Sequence, residues 1–187
     1  MLPGSVIVLE NLVDDPGTSL AELVELTIKN CVFQPLPLTL ALSHSPKLEI
    51  LQLRGDFDAN AIVESFSTAY SMPPSVLVSE SRGIVTAEPP ILCPSLDVLD
   101  LSGSQNLRTG AVMRMVKERL ALAASQEGGK YRLPGEEKDR HVSCIQTLKV
   151  DECPLIEADM LPWFRKKVPK FSCRYATKKT KERWRMA

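Results

Sequence analysis

The chain has 187 residues, of which 44% are apolar and 5% aromatic, and its 23 basic and 23 acidic residues leave no formal net charge. A chain of this length makes one domain able to bury a continuous core. No apolar run approaches the roughly 20 residues that cross a bilayer, and the start lacks a basic region leading into an apolar one, so a place inside the cell, cytoplasmic or nuclear, and off the membrane is expected.

Taken in order, the elements repeat one phrase, L-x-x-L-x-L. A weak copy at Val6 and Val8 comes first. Clear copies follow at Leu23, Leu26 and Ile28, at Leu48, Leu51 and Leu53, at Leu96, Leu99 and Leu101, and at Ile145, Leu148 and Val150. Leu26 and Leu51 are 25 residues apart, whereas Leu51 and Leu99 are 48 apart, which leaves room for a degenerate copy that Val76 and Val78 would fill. Leu99 and Leu148 are 49 apart, but the polar stretch Gln126 to Arg140, rich in Gly, Glu and Lys, reads as an insertion between them. A fixed period means units that stack, and stacking decides the fold ahead of local propensity.

The last two apolar positions of the phrase alternate with polar ones, which is the period of a short half-buried strand. Between the strands, Ala59 to Tyr70, Thr109 to Ala124 and Glu157 to Val168 read as helices; Val112, Met115, Val116 and Leu120 recur at three or four residues in the second. Strand then helix, repeated, predicts an α/β solenoid with short parallel strands on its concave face and helices on its convex face. The expected organisation is a repeat domain over residues 1–168, with about five to six repeats and the insertion at 126–140, followed by a basic tail at 169–187.

Pro46-Lys47-Leu48-Glu49-Ile50-Leu51-Gln52-Leu53 and Cys93-Pro94-Ser95-Leu96-Asp97-Val98-Leu99-Asp100-Leu101 resemble the cysteine-containing, ribonuclease-inhibitor-like class of leucine-rich repeat. Cys31 and Cys153, five residues after Leu26 and Leu148, stand where that class places its cysteine; Asp56, Ser81 and Ser104 hold the same offset. The chain also resembles the C-terminal repeat region of a fungal F-box protein of the leucine-rich-repeat type, whose last repeat ends in a Trp-containing helix, here Leu161-Pro162-Trp163-Phe164-Arg165. That resemblance implies the substrate-recognition repeats of an SCF-type ubiquitin ligase. The alternative is a free-standing leucine-rich-repeat scaffold or adaptor with no ubiquitin role.

An F-box is helical and precedes the repeats, yet Ser5-Val6-Ile7-Val8-Leu9 reads as a strand. The chain starts almost on a repeat, without a polar cap, which suggests a fragment, a truncated gene product or a domain cut from a longer protein, and the ligase adaptor would be a partner only through an upstream F-box.

No catalytic activity is expected. His44 and His141 sit in no nucleophile, metal or acid/base motif, and no phosphate-cradling glycine loop occurs. Asp14 with Asp15 and Glu136 with Glu137 read as loop solvation. Five cysteines with no C-x-x-C pair argue against a disulfide framework or a zinc site; Cys31, Cys93 and Cys153 read as small apolar fillers, and neither metal nor cofactor is expected.

Charge is uneven, because ten bases and one acid follow from Trp163 onward. The run Lys178 to Arg185 reads as a solvated tail, or as a nuclear-import or nucleic-acid segment in which Trp184 would stack on a base, and with no basic stripe in the body a dedicated nucleic-acid binder is not expected. The expected working surface is the row of residues alternating with the buried leucines: Glu25, Thr27, Lys29, Gln52, Arg54, Ser75, Leu77, Ser79, Asp100, Ser102, Thr147, Lys149 and Asp151. Mixed charge and hydroxyls there suit a protein partner. Asp100 is expected to face water, so that Asp100→Ala leaves folding intact, and the 126–140 insertion is expected to be mobile.

Overall fold

A computed structural model describes residues 20–67, 91–125, 130–131 and 139–175. After a short 3-10 turn at Leu20–Glu22 the elements run β1 (Glu25–Val32), α1 (Pro35–Ser43), β2 (Ile50–Asp56), α2 (Ala59–Ser65), β3 (Val98–Asp100), α3 (Thr109–Ala124), β4 (Lys130–Tyr131), β5 (Arg140–His141), β6 (Thr147–Lys149), α4 (Leu161–Lys167) and β7 (Lys170–Ser172). The fold is α/β. Five strands form one sheet in the order β1-β2-β3-β6-β7, and every neighbouring pair is parallel.

The repeated leucines set the register. Leu26 lies opposite Leu51, Leu51 opposite Leu99, Leu99 opposite Leu148, and Leu148 opposite Phe171. Parallel neighbours cannot be joined by a tight hairpin, so each strand is followed by a connection that returns the chain to the same end of the sheet. Leu51, Leu99 and Leu148 are fully buried and pack with Ile62, Val63, Val112, Met115 and Phe164 of the helices in one core.

The main chain repeats as faithfully as the side chains. The N–H groups of Glu49 and Ile50 both donate to the carbonyl of Val24, those of Asp97 and Val98 to that of Glu49, and those of Gln146 and Thr147 to that of Asp97, all at 2.9–3.0 Å. Each of these carbonyls stands two residues before the central leucine of its phrase. The turn before each phrase recurs too, with Leu23, Leu48 and Leu96 N–H donating to the carbonyls of Leu20, Ser45 and Cys93.

Several expectations change. β2 and β3 are hydrogen-bonded neighbours, so no rung stands between them as was expected for Val76 and Val78, which lie outside the described residues with Val6 and Val8. The sheet runs past residue 168: Val168, Phe171 and Cys173 fill the template at the usual spacing, and β7 adds a fifth strand within the stretch expected to be tail. α2 ends at Ser65; Asp58 caps its start by accepting from Asn60 and Ala61 N–H at 3.1 and 3.2 Å, while the Ser65 hydroxyl turns back onto the Ile62 carbonyl at 2.7 Å and competes for its last turn. The insertion is partly packed, because β4 pairs with β5 and Tyr131 is buried against Ile91 and Val142, its hydroxyl 2.9 Å from Ser95 Oγ.

Among the described residues no helix is long and apolar enough to cross a membrane.

Candidate functional site: the outer face of the sheet

In a strand the side chains alternate between faces, so burying Leu51, Leu99 and Leu148, with Leu26 partly buried at the edge, beneath the helices turns the intervening positions outward. Strand pairing then sorts those positions into rows. Glu25, Ile50, Val98, Thr147 and Lys170 form the first row; Thr27, Gln52, Asp100, Lys149 and Ser172 form the second. Above them Lys29 is paired with Arg54, and the ladder continues as the N–H of Gly103 donates to Asp151 O and that of Glu152 to Arg174 O, which brings Ser102, Asp151 and Arg174 side by side.

The expected surface residues are therefore gathered on one face, but they are unequally available. Glu25, Thr27, Lys29, Arg54 and Lys149 are exposed, and Gln52, Thr147 and Asp151 are half-buried. Asp100 and Ser102 are buried instead, at 1% and 9% exposure, which corrects the expectation that Asp100 faces water. The reason is a neighbour one strand away. Arg54 Nη2 lies 3.0 Å from Asp100 Oδ2 and folds over it, while the Ser102 N–H donates to Asp100 Oδ1 at 3.0 Å. Burial pushes the Asp100 carboxyl up, but the bonds from Ser102 and the Arg54 guanidinium outweigh it and hold the group below its ordinary range. Ser75, Leu77 and Ser79 lie outside the described residues.

Asp151 is likewise occupied. Its Oδ1 accepts from the Ser172 hydroxyl at 2.7 Å and from the Arg174 N–H at 2.8 Å. Asp100 on β3 and Asp151 just past β6 are thus both committed to the protein itself, whereas Lys149, Lys170 and Arg174 are exposed and in no ion pair among the described residues.

Two features escaped the sequence reading. Ile50 and Val98 stand in the first outward row, half-buried, and give the centre of the face an aliphatic patch; their offset from the leucines equals that of Glu25 and Thr147, so spacing alone places them. Lys170, Ser172 and Arg174 were hidden because β7 carries Phe171 and Cys173 in place of leucines.

A third feature lies inside the molecule. Arg119 of α3 is fully buried, at the helical spacing from Met115 and Val116 that marks the apolar stripe, and donates to the carbonyls of Leu92 at 2.7 Å, Cys93 at 2.8 Å and Ser143 at 3.3 Å. Its guanidinium carbon sits 5.8 Å from the centre of the Phe66 ring. Burial pulls Arg119 down to about 10, so it stays charged at neutral pH. Burial also pushes the Cys93 thiol up to about 12 and the Cys153 thiol to about 11, which keeps both protonated and poor as nucleophiles. Cys93 Sγ donates to Leu42 O at 3.4 Å and Cys153 Sγ to Leu101 O at 3.3 Å, each tying its corner to the preceding unit; the side chain of Cys31 is outside the description.

Among the described residues no cluster of His, Cys, Asp or Glu is arranged to hold a metal. A cleft of about 590 Å³ opens on the helical side, lined by Asn60, Glu64, Arg108, Thr109, Arg114 and Glu157, with Arg114 and Glu64 3.9 Å apart. No protein-family model, no curated protein and no solved structure matches the chain.

Proposed function

We propose that this chain is a leucine-rich-repeat solenoid without catalytic activity, whose outer sheet face is the concave surface that holds a protein partner. The observation that carries the reading is the register of Leu26, Leu51, Leu99 and Leu148, which makes neighbours of four phrases up to 122 residues apart in sequence. A sheet built this way presents rows of side chains from different units on one rigid surface, and such a surface is suited to macromolecules rather than to small molecules. The half-buried aliphatic centre at Ile50 and Val98, rimmed by charge, has the composition of a protein-binding face. By resemblance, the role proposed is that of the substrate-recognition repeats of an SCF-type ubiquitin ligase, acting in the cytoplasm or nucleus.

Photo-crosslinking tests the face. A benzophenone residue at Gln52 is expected to yield adducts with a protein partner in cells, and one at Arg114 on the helical side is not. Equal labelling from both positions would overturn the surface assignment. Recovery of the cullin-ligase adaptor with the intact gene product would support the ubiquitin role, and its absence would reject it.

A further inference from the structure

The outer face is electrically lopsided. On β1 it carries one acid, Glu25, and one base, Lys29, in different rows, and on β2 and β3 Arg54 and Asp100 neutralise each other. Along β6, β7 and the residues just past them the outward cations Lys149, Lys170 and Arg174 outnumber the one acid in the rows, Asp151, which keeps its charge while accepting from the Ser172 hydroxyl and the Arg174 N–H, so an excess of positive charge remains. Around the edge the last turn of α4 adds Arg165, Lys166 and Lys167, all exposed. The final unit thus carries six exposed cations, none in an ion pair among the described residues.

Like charges held together on a rigid frame repel one another, and an anionic ligand relieves that repulsion while the field steers it in. Two classes of polyanion fit the charge: an acidic polypeptide and a nucleic acid. The neighbouring chemistry separates them. Single-stranded nucleic acid stacks successive bases on aromatic rings, but at this end Lys117 Nζ already lies 5.7 Å over the Trp163 ring, and Tyr175, 45% exposed, offers one ring rather than a row. In the first row the cation Lys170 leads through Thr147 to the aliphatic pair Val98 and Ile50. That order accepts acidic side chains at one end and an aliphatic side chain further along. We infer that the partner engages this cationic end through an acidic segment of polypeptide that carries an aliphatic anchor for Val98 and Ile50. The inference rests on the outer face being a protein-binding surface.

The test is fluorescence anisotropy on the full chain with a labelled peptide alternating glutamate and leucine, set against a single-stranded oligonucleotide of equal charge. The peptide is expected to bind, more weakly as ionic strength rises, and to lose roughly tenfold in affinity in the Lys149→Gln, Lys170→Gln, Arg174→Gln variant, whose exposed positions leave thermal unfolding unchanged. Val98→Ser with Ile50→Ser is expected to weaken the same peptide. Unchanged peptide affinity in the cation variant, or tighter binding of the oligonucleotide, overturns the inference. Partner labelling from Gln52 that persists in either case keeps the outer-face reading standing, and loss of that labelling removes both.

Discussion

The guanidinium of Arg119 donates to the carbonyl of Cys93, whose backbone has φ of 43° in the sparsely occupied left-handed region. Cys93 is not glycine, so this corner is strained by about 1 kcal/mol or more. A buried cation bonded to both Leu92 and Cys93 holds the corner, and through Ser143 it ties two successive turns together.

Arg119→Met keeps most of the side-chain length but orphans these carbonyls. The expected cost is about 3 kcal/mol, since each buried acceptor left without a donor loses roughly 1–3 kcal/mol and partial relaxation recovers some of the total. Arg119→Lys retains the charge but not the fork that reaches several carbonyls at once, so it should fall between wild type and Met. Urea unfolding curves of the three proteins provide the check, and Met at wild-type stability would contradict the clamp.

Asp100→Ala should destabilise by about 2 kcal/mol, because charge-assisted bonds to Ser102 and Arg54 disappear inside the sheet face. Lys149→Ala, one strand over and exposed, should stay within about 0.5 kcal/mol. The carboxyl of Asp100 is lower in the folded chain than its ordinary value of 3.8. Its contribution is therefore complete above that value and is lost as pH falls through the depressed one. Asp100→Asn should accordingly flatten the fall in stability at acid pH, measured by thermal unfolding across the acid range.

Leu99→Asp places a charge at the fully buried centre of the register row, between Leu51 and Leu148. An unpaired carboxylate there is expected to cost at least about 4 kcal/mol or to force its own protonation. Circular dichroism of Leu99→Asp beside Leu99→Ile separates lost packing from buried charge; a fold retained at neutral pH in the Asp variant would argue against that strand layer.

Asn60 and Thr109 perform one task in successive units. Asn60 Nδ2 donates to Asn106 O at 2.6 Å and its Oδ1 accepts from Arg108 N–H at 2.9 Å, while Thr109 Oγ1 donates to Leu155 O at 3.3 Å and accepts from Glu157 N–H at 2.8 Å. Thr109→Val preserves shape and removes both bonds, so a loss of about 1–2 kcal/mol is expected, more than for Asn60→Ala, which is only half-buried and lets water reach the partners. Hydrogen exchange at Glu157 should quicken in the Val variant; an unchanged rate would show the bond to be idle.

The strands were legible because a leucine on the inner face must meet a leucine on the next rung, and that requirement writes a period into the sequence. α3 was legible at both ends, Thr109 and Ala124, from its apolar stripe. β7 was not, since Phe171 and Cys173 satisfy the same packing in other letters. Nor was the burial of Asp100, which alternation alone turns outward; it depends on Arg54, 46 residues distant, and only the pairing of strands brings that neighbour into reach. The rung expected at Val76 failed for a related reason, because spacing measures chain length and not what the length is used for.

The paired acceptance at Val24, Glu49 and Asp97 uses backbone atoms alone, and it is the same whether 25 or 48 residues separate the central leucines. Docking of one unit on the next is therefore indifferent to what the connector contains. New sequence can be spliced into such a bridge and acquire duties of its own while the junctions on either side keep their form.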